Sequence, residues 1–286
     1  MSSLSLHRWF LRFLTLVLAG YVMALGLIRA FESRLVFFPN YPDRLSGDWN
    51  AKFLPKQDTW IKSADGIKLH AWWIPKENAS HTFLAFHGNA GSTADRAEIY
   101  KFFGDVPANV FAVEYRGYGK SDGVPSESGL YLDAEAGFDY LVTTKRIPQK
   151  KIISFGQSLG TAIAAHLAAR REVGGVVLEA PFPLASAVVR QKLWFFPGLS
   201  LLVISQFDTE SELQQIKAPI MIVHCKEDPV IPSKLGKEVY DKAREPKALV
   251  VIDGYCHEEA SIVAPALYRA RLQVFLSQIE SAAGRQ

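Results

Sequence analysis

The sequence predicts an α/β fold in which a mostly parallel central sheet is covered by helices on both faces. Short apolar runs rich in β-branched and aromatic residues alternate along the chain with longer segments of helical periodicity. Runs that are apolar throughout are typical of strands buried on both faces, and their alternation with helices indicates parallel pairing. With 286 residues, 49% of them hydrophobic, the chain is long enough for one domain with a large core.

The individual elements follow from these patterns. Asp65 and Gly66, between residues 58–63 and 67–74, predict a β-hairpin because Asp-Gly favours tight turns. The other predicted strands are residues 82–86, 110–114, 151–155, 175–178, 219–224 and 248–252. The predicted helices are residues 94–103, 128–144, 158–171, 233–243 and 258–281.

Two segments do not fit this alternation. Residues 32–54 hold Pro39, Pro42 and Gly47 among aromatic residues, which indicates an irregular connector. Residues 182–216 separate two strands without a strand of their own, and a connection of that length usually carries function or its own helices. Residues 193–204 are apolar but too short to cross a bilayer, so we expect a small helical cap. Its aromatic side chains either belong to the core or cover an acyl-binding pocket or lipid.

The N-terminus contains an apolar, uncharged run at residues 13–28, with arginines on both sides. Starting at Trp9, the segment reaches the length of about 17–25 residues that a spanning helix needs. We therefore predict a single-pass transmembrane anchor. A cleaved signal peptide with a site near Ala24 and a buried core helix are the alternatives. The arginines nearly balance, so the side of the membrane stays open.

Composition excludes several classes of protein. The net charge is only +3 and the basic residues form no stripe interleaved with aromatics, so we expect no nucleic-acid partner. The two cysteines, Cys225 and Cys256, form no CxxC pair, and the seven histidines show no HExxH spacing. We therefore expect neither a metal site nor a cofactor.

Ser158 lies at the centre of the pentapeptide Gly-Gln-Ser-Leu-Gly, residues 156–160, between a predicted strand and a predicted helix. A serine on a sharp turn from a strand into a helix is typical of a catalytic nucleophile. The flanking glycines leave the space that such a turn needs. The helix N-terminus directs free backbone N–H groups towards developing negative charge. The pattern therefore predicts Ser158 as a nucleophile.

A serine nucleophile requires a base and a carboxylate that orients the base. His257 is the predicted base because it follows the last strand and precedes the last helix; a surface histidine is the alternative. Asp228 is the predicted acid because it directly follows a strand. Glu227 and Glu179 remain alternatives for the acid.

Residues 87–91, His-Gly-Asn-Ala-Gly, follow a predicted strand and provide a candidate oxyanion loop. A developing oxyanion needs two backbone donors, one from the residue after the nucleophile and one from an early loop. We predict Leu159 for the first donor and Asn89 for the second, with Ala90 as an alternative. A tight turn with no catalytic role is the competing interpretation.

Four motifs together carry a family resemblance: residues 87–91, 115–121, 156–160 and 227–232. In this order they resemble the α/β-hydrolase superfamily, particularly its single-pass, membrane-anchored members with a short cap. The resemblance covers residues 36–279 and implies the α/β-hydrolase fold, with Ser158, Asp228 and His257 as the catalytic triad. It also implies hydrolysis of carboxylic esters or thioesters, in some relatives those of lipid or protein-bound acyl chains. Cys256 stands where glycine usually precedes the histidine, which leaves the shape of that loop open.

Two further expectations concern residues around the predicted triad. Residues 115–121 should shape the floor of the site without taking part in the chemistry. Cys225 and Cys256 should lie on neighbouring loops beside Asp228 and His257. We expect two buried free thiols there, with a disulfide as the alternative.

The sequence thus predicts an anchor over residues 1–34 and a hydrolase domain over residues 35–286, with the cap at residues 182–216. The predicted function is that of a membrane-anchored serine hydrolase acting on a small-molecule or lipid acyl ester or thioester. The alternatives are a serine peptidase on the same fold and a non-enzymatic, membrane-anchored scaffold. The natural substrate and the oligomeric state are not specified.

Overall fold

The structure is a computed structural model that describes residues 3–31, 36–196 and 198–283. The predicted boundary between anchor and hydrolase domain, at residues 34 and 35, lies outside the described residues. So does Pro197 within the cap. The proposed domain limits therefore stay predictions.

Within the described residues, eight strands form one sheet in the order β1-β2-β4-β3-β5-β6-β7-β8. The β1-β2 and β2-β4 pairs are antiparallel and every later pair is parallel, so the mostly parallel sheet is confirmed. The strands are β1 Gln57–Lys62, β2 Lys68–Ile74, β3 His81–Phe86, β4 Ala108–Val113, β5 Ile152–Gln157, β6 Gly175–Glu179, β7 Ile220–Cys225 and β8 Lys247–Ile252.

Apart from the N-terminal helix, the helices follow or connect the strands of the sheet. They are α1 Ser3–Ala30, α2 Ala97–Phe103, α3 Glu127–Thr143, α4 Leu159–Arg170, α5 Ala185–Lys192, α6 Thr209–Leu213, α7 Ser233–Lys242, α8 Ala260–Val263 and α9 Pro265–Ala283. Short 3₁₀ helices occupy Thr93–Arg96, Gln149–Lys151 and Leu199–Leu202.

Two predicted helices are each divided into two. The segment predicted at residues 258–281 breaks between α8 and α9, because Pro265 cannot donate a backbone hydrogen bond and disfavours helical geometry at Ala264. The segment predicted at residues 94–103 begins as a 3₁₀ turn, which Ser92 and Asp95 close with a reciprocal capping box. Both single-helix predictions were wrong at these points.

The core is divided between the two faces of the sheet. On one face, apolar residues of α3, α4 and α7 pack on the strands, among them Leu130, Phe138, Ile163 and Leu235. On the other face, α2 and α9 contribute residues that include Tyr100, Phe103, Leu272 and Phe275. Burial of each large apolar side chain contributes about 1.5–3 kcal/mol, so helices are held on both faces as predicted.

Helix α1 carries the predicted transmembrane segment. Over His7–Ala30, 24 residues with a mean hydropathy of 2.0, it is long and apolar enough to cross a membrane. None of this segment is buried in the protein, so the buried-core interpretation was wrong. A signal sequence has the same properties, and the helix by itself does not separate it from an anchor.

Between β6 and β7 lies the predicted cap. It contains α5, the 3₁₀ helix Leu199–Leu202 and α6, with no strand among its described residues. The small helical insertion is therefore confirmed. It emerges from the carboxyl end of β6, the edge of the sheet from which β5 also delivers Ser158.

Candidate active site

The turn that carries Ser158 joins β5 to α4 and requires unusual backbone geometry. Ser158 has φ 51° and ψ −116°, a conformation that residues with a side chain rarely adopt. A Cβ atom at Gly156 would overlap the carbonyl oxygen of Gly160, and one at Gly160 would overlap that of Phe86. The glycines at both positions are therefore demanded by the turn, for the steric reason inferred from the sequence.

Backbone hydrogen bonds hold Ser158 in this conformation. Its N–H donates to the carbonyl oxygen of Glu179 at 2.9 Å, across the β5-β6 pair. Its own carbonyl accepts from the N–H of Thr161 at 3.0 Å, within the first turn of α4. The residue is only 8% exposed. These two hydrogen bonds, one to strand β6 and one within α4, therefore offset the cost of the strained backbone at Ser158.

His257 lies between the serine and the predicted acid. Its Nε2 is 2.8 Å from Ser158 Oγ, and its Nδ1 is 2.7 Å from Asp228 Oδ2. A carboxylate accepts only, so Nδ1 carries the proton and Nε2 is left to accept from the serine hydroxyl. The tertiary structure therefore brings these three predicted residues into one hydrogen-bond chain. The arrangement has the geometry of a nucleophile, a base and an orienting acid.

The carboxylate of Asp228 is held from several directions. Its Oδ1 accepts the N–H groups of Val230 at 2.7 Å and Ile231 at 2.8 Å. Burial raises the pKa of Asp228, but hydrogen bonds from His224 and His257 outweigh it and hold the pKa well below its usual range. Glu227, the neighbouring alternative for the acid, is exposed. Asp228 is thus an ionised acceptor with a fixed orientation.

His224 was missed as a site residue in the sequence. Its Nε2 lies 3.3 Å from Asp228 Oδ2 and 3.0 Å from the carbonyl oxygen of Ile231. Gly236 of α7 leaves room for the ring, since a Cβ there would overlap His224 Nδ1. The sequence did contain one indication of this contact: His224 stands at the end of a predicted strand, four residues before the predicted acid.

The segment of residues 87–91, called here the glycine loop, packs directly against the turn at Ser158. The Asn89 side chain does not point freely into the site: its Nδ2 donates to the carbonyl of Val36, and its Oδ1 accepts from Tyr118 at 2.9 Å. These hydrogen bonds fix the loop, so the backbone N–H of Asn89, and not its side chain, is the candidate donor to an oxyanion. Leu159 is the first residue of α4, where an N–H has no partner within the helix.

The segment of residues 115–121 holds the glycine loop from beneath. Tyr115 donates its hydroxyl hydrogen bond to the carbonyl oxygen of His87 at 2.8 Å. Arg116 pairs with Asp65 at 2.6 Å and Asp133 at 2.8 Å. These contacts support the structural role expected for this segment.

A second set of contacts joins the glycine loop to the histidine loop, residues 253–259. Arg96 Nη2 donates to Glu258 Oε2 at 2.7 Å, and both side chains are largely buried. The Glu258 carboxylate lies so close to Gly88 that a Cβ there would overlap it. Gln157, next to the serine, donates to the Glu258 carbonyl at 3.0 Å. Neither Arg96 nor Glu258 was identified from the sequence.

Glu179, the other alternative for the acid, lies behind the turn and not beside His257. Its carboxyl accepts the N–H of Ala260 at 3.1 Å and the side-chain amide of Gln157 at 3.3 Å. Complete burial raises the pKa of Glu179 to about 8, and the negative charge of Glu258 adds to the increase. Glu179 therefore links β6 to the first residue of α8 as a neutral group near pH 7.

The expectation of two free thiols was wrong. Cys225, the last residue of β7, forms a disulfide with Cys256, whose Cα lies 5.6 Å away. Adjacent strands β7 and β8 bring the two loops together, which the spacing in the sequence does not reveal. The bond ties the loop of Asp228 to the loop of His257.

Comparison with known proteins relates the chain to a family. The family model described as serine aminopeptidase, S33 matches residues 77–207, which include the glycine loop and Ser158. The α/β-hydrolase domain-containing protein WAV2 of Arabidopsis thaliana is 33% identical, over 80% of this chain and 82% of its own. The human α/β-hydrolase domain-containing protein 17B is 32% identical, over 70% of this chain and 68% of its own.

Among solved structures, an esterase from Pyrococcus furiosus superposes with a TM-score of 0.68. It shares 23% identity and covers 82% of this chain and 97% of its own, a similarity that shows the fold. Fold and relatives together define a hydrolase with a mostly parallel eight-stranded sheet. The chain belongs to the α/β-hydrolase superfamily.

Proposed function

We propose that the protein is a membrane-anchored serine hydrolase that cleaves carboxylic ester or thioester bonds through an acyl-enzyme. The observation that carries the proposal is the hydrogen-bond chain from Ser158 through His257 to Asp228. Ester chemistry is supported by the fold shared with an esterase. Helix α1 supports anchoring, because it is long and apolar enough to span a bilayer.

In the first half of the reaction, Ser158 Oγ attacks the carbonyl carbon while His257 Nε2 accepts the hydroxyl proton. Asp228 stabilises the imidazolium that forms and keeps the ring in the required tautomer. The tetrahedral intermediate then collapses, the bond to the leaving alcohol or thiol breaks, and His257 returns the proton to it. Ser158 is left as an acyl ester.

In the second half, His257 accepts a proton from water as the water oxygen attacks the acyl carbon. The bond from that carbon to Ser158 Oγ then breaks, His257 returns the proton to Oγ, and the carboxylic acid leaves. The N–H groups of Leu159 and Asn89 would bind the oxyanion in both halves, and losing one such donor typically costs about 100- to 1,000-fold in rate. The hydrogen bonds that the Asn89 side chain donates to Val36 and accepts from Tyr118 support this assignment, because they fix the loop.

The direct test is covalent labelling of the full chain, in detergent micelles, with a fluorophosphonate probe. We expect the wild-type protein to be labelled and Ser158→Ala to be unlabelled with its melting temperature retained. Ser277→Ala, an exposed serine of α9, is the matched control and should label like the wild type. Labelling of Ser158→Ala at the wild-type level would refute the proposal. An unreactive wild type would instead favour a non-enzymatic scaffold.

A serine aminopeptidase is the second candidate, because the matching family model carries that description. Both candidates use the same nucleophile and differ in the bond that is cleaved. A panel of esters and thioesters of increasing acyl length, together with aminoacyl amides, separates them. We expect esters or thioesters to be hydrolysed faster than every amide, and the opposite order would establish the peptidase.

A further inference from the structure

The cap exposes a cluster of large apolar side chains. Trp194 is 78% exposed and Leu201 is 87% exposed, and Phe195 and Phe196 are exposed as well. The three aromatic rings of this cluster pack only edge-on or tilted against one another, in sequence along the chain. We call these four residues the apolar face of the cap. Contiguous exposed apolar patches are rare on soluble monomers and mark interaction sites.

The cap lies beside the candidate membrane helix. Helix α1 contacts the 3₁₀ helix Leu199–Leu202 of the cap. Along the described side chains of α1, only Tyr21, Leu25 and Ile28 are half-buried, whereas the others are exposed. Their spacing places them on one side of the helix, so α1 turns one face to the protein. The apolar face of the cap therefore adjoins a helix whose remaining surface is apolar and uncovered.

The charge of the cap suits a membrane surface. From residue 182 to residue 207 the sequence contains no Asp or Glu, whereas Arg190 and Lys192 stand in the last turn of α5. Basic residues beside exposed aromatics are typical of segments that lie in the interface of a bilayer with anionic headgroups. A protein partner could bind an apolar face anywhere on the molecule. The position of this face beside α1 therefore favours the bilayer over a protein partner.

The cap also reaches the candidate active site. Lys192 Nζ donates to the carbonyl of Pro229, the residue directly after Asp228. The cap leaves the sheet at the carboxyl end of β6, beside the end of β5 that leads to Ser158. The cap therefore contacts the loop that carries Asp228.

We propose that the apolar face of the cap rests in the interface of the same lipid bilayer that holds α1, with Arg190 at anionic headgroups. Trp194, Phe195, Phe196 and Leu201 enter the boundary between headgroups and acyl chains, where their apolar area leaves water. The protein then contacts the membrane at two places, and its candidate active site opens beside the lipid.

The test measures the depth of Trp194 without any assay of activity. The full chain carrying Trp9→Phe, which removes the tryptophan of α1, is reconstituted into vesicles of equimolar phosphatidylcholine and phosphatidylserine. Part of the phosphatidylcholine carries brominated acyl chains, which quench only nearby tryptophan. We expect the parent to be quenched and the additional change Trp194→Phe to remove most of the quenching. Trp60→Phe, on the edge strand β1, is the matched control and should leave it unchanged.

A second arm tests the headgroup contact. Arg190→Gln should reduce the quenching of Trp194 in the anionic vesicles and leave it unchanged in vesicles of phosphatidylcholine alone. Quenching that survives Trp194→Phe, or a Trp194 that is unquenched while the protein forms stable oligomers, would overturn the proposal. Because the readout is fluorescence, its failure is separate from a failure of the proposed hydrolysis, which the fluorophosphonate labelling reports.

Discussion

Arg96 and Glu258 form a largely buried ion pair, 2.7 Å between Nη2 and Oε2, that connects the glycine loop to the histidine loop. Glu258 directly follows His257, and Arg96 ends the 3₁₀ helix that follows the glycine loop. The pair therefore fixes the distance between the loop expected to bind the oxyanion and the loop that carries the candidate base.

Removing the charge of Glu258 should destabilise the protein strongly. Glu258→Gln leaves Arg96 buried without a counter-charge, and breaking a buried pair from one side costs about 3–5 kcal/mol. We expect a drop of that size in the free energy of unfolding, measured with urea. Asp105→Asn, which breaks an exposed pair with Arg269, should cost less than about 1 kcal/mol. Equal losses for the two variants would contradict a special role for the buried pair.

His224 should act as a positioning residue for Asp228. His224→Ala removes a donor 3.3 Å from Asp228 Oδ2 and so weakens the orientation of the carboxylate. We expect kcat to fall about 10- to 100-fold with KM unchanged, since His224 lies behind the acid and misplacement affects the reacting geometry. His224→Gln, which retains a donor, should restore most of the rate. A parallel rise in KM, or no rescue by glutamine, would indicate a general loss of structure instead.

Glu179 should make the stability depend on pH. Its pKa is raised from 4.5 to about 8, so the folded state keeps a proton that the unfolded state releases above its ordinary pKa. The stabilisation is therefore complete below about pH 4.5 and is lost as the pH rises through the folded pKa, with a slope of up to about 1.4 kcal/mol per pH unit.

The measurement for Glu179 is the free energy of unfolding between about pH 5 and pH 8. Glu179→Gln keeps a neutral group of the same shape and should flatten the decline seen in the wild type. Glu227→Gln, at an exposed carboxylate, should leave the decline in place. Parallel curves for wild type and Glu179→Gln would show that Glu179 is ionised in the folded protein.

The disulfide between Cys225 and Cys256 should contribute to stability. It closes a loop with a sequence separation of 31, and constraint of the unfolded chain over such a loop contributes about 3–4 kcal/mol. We expect unfolding in the presence of a reductant to show that loss. The double variant Cys225→Ser/Cys256→Ser should have the lower stability with or without reductant. A wild type whose unfolding is insensitive to reductant while two thiols become alkylatable would contradict the expectation.

Much of the fold could be predicted because the patterns that specify it are local. The buried strands are mostly apolar runs, and the sharp turn at Ser158 depends on Gly156 and Gly160, which are its near neighbours in the chain. The error in the helix predicted at residues 258–281 also has a local cause, because Pro265 divides a segment of otherwise helical composition.

The supporting residues of the candidate site could not be found in the same way. Arg96 and Glu258 are 162 positions apart, and nothing near either residue in the sequence indicates its partner. The pairing of Cys225 with Cys256 depends on the register of β7 and β8, which sets the separation of their Cα atoms. Such contacts join single residues, so they leave no periodic pattern to detect.

The sequence by itself determined the order of the strands and helices along the chain, the apolar N-terminal helix and the candidate residues Ser158, Asp228 and His257. Only the tertiary structure decided that Asp228, and not Glu227 or Glu179, contacts the imidazole. It also decided that Trp194, Phe195 and Phe196 of the cap are exposed and not part of the core. The reason is physical: burial patterns repeat along a chain, whereas a hydrogen bond of about 3 Å depends on where separate segments meet.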